Sequence, residues 1–532
     1  MTSELADVAS DSARGGFYLL SGTAVATVVL AVGSILVARI LGPEIYGQYA
    51  LALAIPQLLY LFTELGISEG ITKFTAEMFR TDQKARIKTL VKHALLLRAS
   101  TGIAIFLISY LFANLFATSL LNRPELAFYL RIGAIAILFQ VIFTTAASSF
   151  VGLDKTERSA LTLNIQAISK TVISLVLVLM GFTLTGAILG HVFSYAVSGI
   201  AGLLLLYLIF RHLSASPDKT FRENTRTLLK FGTPLYVSIL LTGFVPIFQN
   251  IVLAFFATDA QIGNYKAAIN FATLMTTLAI PIRTALLPAF SKLSSGDKKT
   301  VKEFFKIANK YTAALVMPAT ILIMIFSNQI VQIIYGSTYN SAAAYLTVYC
   351  FLYFLVGIGF LNFVSLYNGL GETKITLRIS LITFVVMLFL SVPLTSSYGV
   401  TGLIFAFLIA SASGQIYALF FAKKRFTLEF HTKPLLKIYF ISIISSAIPL
   451  LILNLANLPP LLAVAVGGTL YLLSYATLFP IIRTITPDEL QKITYIIQGV
   501  PLLWVIAKPI LRYQKKLLTL NLSIPRLKYI LK

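Results

Sequence analysis

A chain of 532 residues that is 57% hydrophobic and only 12% charged has too little polar surface to coat a water-soluble fold of its size. Its net charge of +23 is not a nucleic-acid footprint, because no basic stripe interleaved with exposed aromatics stands apart from the apolar runs. A single cysteine, Cys350, excludes internal disulfides and thiolate metal cages, and His93, His191, His212 and His431 lack metal-ligand spacing, so no metal and no cofactor is expected.

Residues 1–16 hold Glu4, Asp7 and Asp11 against one basic residue, and the apolar run behind them is too long for a signal-peptide core. They are expected to stay on the chain. A spanning helix needs about 20 apolar residues to cross a hydrocarbon core of about 30 Å. Fourteen runs qualify, starting near Phe17, Ile45, Val91, Leu126, Ala160, Leu184, Leu228, Gln261, Asn309, Ser341, Lys374, Val400, Pro434 and Pro459. Backbone groups in lipid must bond within their own segment and no alternating strand pattern occurs, so the runs are read as helices of an all-α polytopic membrane protein. With a cytoplasmic N-terminus, most of the 43 basic residues fall in cytoplasmic segments and the outside loops hold only Arg123. This places both termini in the cytoplasm and the protein in the cell membrane.

The division that follows is an N-lobe of spans one to six (17–212), a cytoplasmic linker (213–227), a C-lobe of spans seven to twelve (228–424), and spans thirteen and fourteen (425–485). The basic segment 486–532 is read as lying on an anionic inner leaflet, because spanning would carry Arg512, Lys515, Lys516, Arg526, Lys528 and Lys532 outside. The two lobes share landmarks. Gly47 and Tyr49 in RILGPEIYGQYA match Gly263 and Tyr265 in QIGNYKAA, FVGLDKT from Phe150 matches YNGLGET from Tyr367, and Thr185-Gly186 matches Thr401-Gly402. Six spans per lobe is an even number, so the lobes relate by a pseudo-two-fold axis along the membrane normal.

GISEG, Gly66 to Gly70, fits the pattern of a hydrolase nucleophile elbow but follows a membrane helix rather than a strand, and is read as a helix-end turn. No phosphate-cradling G-x-x-x-x-G-K-[ST] loop occurs. Gly186-x-x-x-Gly190 predicts close helix packing, and Pro56, Pro246 and Pro281 predict kinks suited to gating. Charges within spans are costly and tend to face a cavity or a partner. Lys170 lies near the middle of span five, in a polar stripe with Gln166 and Ser174. Gln57, Tyr60 and Glu64 share a face of span two, and Lys266, Asn270, Thr273 and Thr277 one of span eight. Glu64 and Arg283 occupy equivalent depths, and pairing between the halves is expected. Arg39 and Lys266 lie near outer span ends, while Arg98 and Arg131 are expected to snorkel to water.

RILGPEIYGQYALA, TELGISEGITKFTAE, IIYGSTYNSAAAYLTVYC and LYNGLGETK resemble the polysaccharide-transporter branch of the multidrug/oligosaccharidyl-lipid/polysaccharide (MOP) exporter superfamily over roughly Phe17 to Ile485. The resemblance implies a MATE-like fold of two six-helix lobes around a cavity lined by spans one, two, seven and eight. It also implies alternating access, with a lipid-linked oligosaccharide turned from the cytoplasmic to the outer leaflet for polysaccharide assembly. On that reading the chain is a flippase and not an enzyme. Arg283, Lys170, Lys266 and Arg39 are the candidates for pairing with the carrier phosphate, and Gln57, Gln249 and Asn250 for hydrogen-bonding sugar hydroxyls. Glu64 and Arg283, with Pro246 and Pro281, are the gate or coupling candidates. Membrane lipids at the tail and polysaccharide assembly enzymes are further candidate partners. The alternatives are a cation-coupled multidrug exporter of the same superfamily, which would bury carboxylates, and a membrane glycosyltransferase or polymerase, which would need a large catalytic loop.

Overall fold

The computed structural model describes residues 2–81, 83–211, 220–292, 298–428, 432–498 and 501–523, and it is helical almost throughout, with no strand among these residues. In chain order the helices are α1 (Thr2–Glu64), α2 (Ile67–Arg80), α3 (Lys84–Leu111), the single turn α4 (Ala113–Leu115), α5 (Ala127–Gly152), α6 (Thr156–Leu177), α7 (Thr183–Phe210), α8 (Phe221–Phe256) and α9 (Asp259–Lys292). There follow α10 (Lys298–Ile325), α11 (Ser327–Ile334), α12 (Ala342–Cys350), a 3₁₀ segment (Phe351–Ile358), α13 (Phe363–Gly369), α14 (Thr373–Phe426), α15 (Thr432–Ile444), α16 (Ala447–Leu455), α17 (Pro460–Ile481), α18 (Pro487–Gln498) and α19 (Pro501–Ser523). The first part of the expected linker, 213–219, lies outside the described residues.

Among the described residues nine helical stretches are long and apolar enough to cross a membrane, or ten if the pair Ala342–Ile358 and Phe363–Gly369, bent by 44°, is one span. Three of these stretches, Ser21–Arg80, Thr156–Phe210 and Thr373–Phe426, are far longer than one crossing needs, and α9, where span eight is expected, is not among the nine. Each of the three long stretches contains a glycine outside helical geometry: Gly42 (φ 75°), Gly181 (φ 92°) and Gly399 (φ 58°). Left-handed φ values strain residues with a Cβ, so glycine is the residue that lets one continuous run turn there. Pro56 and Pro246, by contrast, do not interrupt α1 or α8.

The chain folds as two compact units. The first comprises Met1–Phe271, Tyr335–Tyr345 and Ser380–Ala410. Here α6 packs along α1 and α7, and α5 along α3 and α7. Small residues set the spacing: a Cβ on Gly190 would lie 2.1 Å from Ser174 Oγ, the close approach that Gly186-x-x-x-Gly190 predicts. GISEG behaves as a helix-end turn, with Gly66 at φ 73° between α1 and α2.

The second unit comprises Ala272–Ile334, Leu346–Ile379 and Ser411–Lys532. Its core includes the buried rings of Phe290, Phe305, Phe363, Tyr367 and Phe426. The break between the 3₁₀ segment and α13 frees backbone groups that lipid cannot satisfy, and buried side chains replace the missing partners. Asn309 Nδ2 donates to the Gly357 carbonyl at 2.5 Å, and the Gly357 amide donates to Tyr439 Oη at 2.9 Å.

The C-terminal helices are tied to this unit by polar contacts. Thr477 and Tyr513 hydroxyls lie 2.9 Å apart between α17 and α19, and α19 is not among the described helices apolar enough to span. Lys310 of α10 pairs with Glu489 at 2.7 Å, and Glu489 also accepts from the Thr486 amide. Burial opposes ionisation of Glu489, but the hydrogen bonds from Lys310 and Thr486 outweigh it and hold the carboxyl below its usual range. A depressed carboxyl pKa contributes docking above the ordinary carboxylate value, and that contribution is lost as pH falls through the lower folded value. A nitroxide on Asp488→Cys is expected to gain mobility only in that acidic window. Glu489→Gln should raise mobility already at neutral pH and abolish the acid step; an acid step that survives Glu489→Gln would refute the assignment.

Candidate functional site

The predicted polar stripe of α6 divides on folding. Gln166 Nε2 donates to Ser194 Oγ at 3.2 Å and Ser174 Oγ to the Ala187 carbonyl at 3.4 Å, so both are engaged by α7. Lys170, between them, forms no hydrogen bond or ion pair among the described residues. It lines a cavity of about 50 Å³ with Ser34, Val37, Tyr46, Tyr49 and Thr171. At the same place Asn270 Nδ2 of α9 donates to Tyr46 Oη at 2.8 Å and Ser34 Oγ at 3.1 Å, and these two hydroxyls lie 2.8 Å apart. A mid-helix amine with no carboxylate beside it, next to hydroxyls and an amide, is an anion-receiving arrangement. Such space holds water; a sugar would not fit unless it widens.

Other predicted residues fall around this cluster or away from it. Lys266 is half-buried one helical turn before Asn270, with Nζ 5.7 Å from the Tyr265 ring centre. Gln249 is buried and accepts from Tyr265 Oη at 3.2 Å, and Asn250 is buried with its side-chain oxygen unpartnered among the described residues. Arg39, Gln57 and Pro246 are exposed. The side chains of Arg283, Pro281 and Thr277 lie outside the described residues. Ser34, Tyr46, Tyr49 and Thr171 were not anticipated. Tyr49 carries a signal as a landmark of the repeat; the others are hydroxyl residues with nothing in the sequence to single them out.

Arg98 corrects an expectation. It does not snorkel: it is 1% exposed and pairs with Glu64, itself 15% exposed, at 2.7 Å. Its guanidinium also donates to Thr144 Oγ1 at 2.7 Å and the Thr63 carbonyl at 3.1 Å, while Tyr60 and Ser68 hydroxyls donate to the Glu64 carboxylate. At that depth a partner within the same unit is cheaper than stretching to water. Arg131 is half-buried and donates to Asn114 at 3.2 Å.

The repeated glycines also acquire a physical role. A Cβ on Gly47 would lie 1.9 Å from the Asp259 carbonyl oxygen, and one on Gly263 would lie 1.8 Å from that of Pro43. The matched motifs therefore pack against each other. Beside them Arg123, the outside-loop exception, pairs with Asp259 at 2.9 Å and donates to the Ala257 carbonyl at 3.1 Å, while Gln48 donates to Asp259 at 3.1 Å. Between the α1–α2 turn and α8, Gly66 and Gly232 make a similar contact, a Cβ on either meeting the other's carbonyl oxygen at 2.1 Å. In a helix, Gly→Ala normally gains about 1 kcal/mol. At Gly47 and Gly263 the added methyl meets rigid backbone, and overpacking of this kind costs about 1–3 kcal/mol. Gly47→Ala and Gly263→Ala should thus each lower the melting temperature; a rise in both would remove the close-contact explanation.

Comparison with known proteins agrees with this architecture. A protein of Shigella dysenteriae provisionally named an O-antigen transporter is 23% identical over 374 residues, covering 70% of this chain and 89% of its own. The lipopolysaccharide biosynthesis protein WzxC of Escherichia coli K12 is 26% identical over 351 residues, covering 63% and 66%. Among solved structures, the lipid II flippase MurJ in an inward closed conformation superposes with a TM-score of 0.69 at 18% identity, over 87% of this chain and 98% of that one. An inward-facing MATE multidrug resistance transporter of the MOP superfamily gives 0.64 at 16% identity, over 77% and 98%. These structures establish a shared fold. Residues 12–294, more than half of the chain, match the family described as "Polysaccharide biosynthesis protein", and the chain belongs to that family.

Proposed function

We propose that this protein is a flippase, not an enzyme, that carries an oligosaccharide linked to a polyprenyl phosphate or pyrophosphate from the cytoplasmic to the outer leaflet for surface polysaccharide or glycoconjugate assembly. The observation that carries the reading is Lys170: a cation at mid-membrane depth, unpaired among the described residues and facing hydroxyls, is what a phosphate needs to leave water. A polyprenyl tail can remain in lipid, but its charged head and sugars cannot. Names of the relatives, an O-antigen transporter and MurJ among them, support the same substrate class.

We further propose fourteen spans in two six-helix lobes plus two, with the turns at Gly42, Gly181 and Gly399 dividing the three over-long stretches, the bent pair counted as one span and α9 as span eight. Both termini are cytoplasmic and the protein sits in the cell membrane. Arg283 and Lys266 assist Lys170, and Arg39 receives the head near the outer face. Gln57, Gln249 and Asn250 hydrogen-bond the sugars. Alternating access parts the Gly47–Gly263 and Gly66–Gly232 contacts in turn, and the cavity beside Lys170 widens as one of them opens. The cation-exporting alternative is weaker, because Glu64, the one carboxylate expected within a span, is already neutralised by Arg98. In cells deprived of the protein, oligosaccharide-lipid should accumulate on the cytoplasmic leaflet and surface polysaccharide should fall. Normal surface polysaccharide with no accumulation would refute the proposal.

A further inference from the structure

The second unit contains a cavity of about 880 Å³ that the flipping reading does not use. Its walls are apolar: Phe354 and Ile358 of the 3₁₀ segment, Leu419 of α14, Leu428, and Leu435 and Leu436 of α15. Its polar side chains are Lys423 and Thr427 at the end of α14, Thr432 at the start of α15, and Tyr439, whose hydroxyl is taken up by the 3₁₀ segment. Lys423 opens a basic last turn of α14, Lys423-Lys424-Arg425. Arg425 is paired with Glu372 at 3.5 Å, whereas Lys423 has no ion pair among the described residues.

We propose that this cavity is a binding site for one anionic phospholipid of the cytoplasmic leaflet, with its acyl chain along the leucine and phenylalanine walls and its phosphate on Lys423 and the two threonines. Three observations carry the assignment. An apolar space of this size beside a bilayer is unfavourable for water, which needs two to four polar partners per molecule, and surrounding lipid is available to fill it. The volume is of the order of one bound small amphiphile, and the mostly apolar lining offers a sugar chain few hydrogen-bond partners. The polar groups without a backbone partner among the described residues, the Lys423 amine and the Thr432 hydroxyl, belong to the α14–α15 junction, while the Tyr439 hydroxyl is engaged by backbone; a cation and hydroxyl beside hydrocarbon suit a headgroup with its tail.

Position adds a reason for such a site. The cavity lies against the 3₁₀ segment Phe351–Ile358, just before the 44° bend, and Tyr439 connects the two. Its hydroxyl accepts from the Gly357 amide and donates to the Phe354 carbonyl. Irregular backbone is tolerated at membrane depth where it is covered. Protein covers one side through Asn309 and Asn362, and a resident acyl chain covers the other. The proposal takes from the preceding reading only that the end of α14 faces the cytoplasm; it does not require flipping, so either can fail alone.

The test uses the purified full-length protein in detergent with dioleoyl phosphatidylglycerol and, separately, dioleoyl phosphatidylcholine, counting retained lipid by native mass spectrometry. One phosphatidylglycerol is expected to be retained in preference to phosphatidylcholine. Lys423→Glu should weaken retention about tenfold or more by replacing attraction with repulsion. Leu435→Trp, which narrows the cavity, should weaken retention of that lipid while surface adducts persist. Should Leu435→Trp fail to fold, Lys423→Gln decides the matter alone. Equal retention of the two lipids, or unchanged retention in the Lys423 variants, overturns the proposal. So does displacement of phosphatidylglycerol by equimolar polyprenyl phosphate, which would make this a carrier site.

Discussion

Arg98→Ala is expected to be the most destabilising single substitution considered, costing about 3–5 kcal/mol, the usual penalty for removing one partner of a buried ion pair. The Glu64 carboxylate would keep its bonds from Tyr60 and Ser68 but lose its one cation among the described residues, and the Thr63 carbonyl and Thr144 hydroxyl would lose a donor. Because the penalty comes from the stranded charge, Arg98→Met combined with Glu64→Gln should recover most of the lost stability. The check is a double-mutant cycle on denaturation midpoints in detergent. Additive losses would show that the pair is not a unit.

Lys170→Ala should do the opposite: abolish most transport while leaving stability unchanged or slightly higher. An amine with no carboxylate partner among the described residues costs desolvation energy and returns none to the fold, so its removal should not weaken the protein. If the amine instead receives a phosphate during transport, losing one charge-assisted contact of about 1.5–3 kcal/mol slows the crossing at least tenfold. Lys170→Arg should retain part of the rate. Adding Arg283→Ala to Lys170→Ala should remove what remains. A fall in melting temperature with transport intact would identify Lys170 as a structural residue.

Local properties were legible in the amino-acid sequence, and juxtapositions were not. The expected spans beginning near Ile45, Leu184 and Val400 start within a few residues of the breaks at Gly42, Gly181 and Gly399, since apolar run length and glycine punctuation are both local signals. Lys170 stood out because a charge amid apolar residues is visible without a structure. Its neighbours Ser34 and Tyr46 did not, because hydroxyl residues on a helix look alike until packing decides which face a cavity. The Arg98–Glu64 pair joins helices whose adjacency no periodicity reveals, so snorkelling was the natural local reading. The Gly-x-Tyr repeat was visible as a repeat. Its cause, the mutual contact of Gly47 and Gly263 with the opposing backbone, exists only once the two motifs meet. Arg123, the one basic residue expected in an outside loop, pairs with Asp259, a contact its place in the sequence does not reveal.

The most direct test of the account is translocation of a fluorescent polyprenyl-pyrophosphate oligosaccharide in liposomes containing only the purified protein, read as label that becomes reachable by an impermeant quencher. The account predicts protein-dependent translocation that survives Glu489→Gln and is lost in Lys170→Ala. It would be contradicted if the lipid-linked sugar stayed in its original leaflet while the same liposomes moved an organic cation.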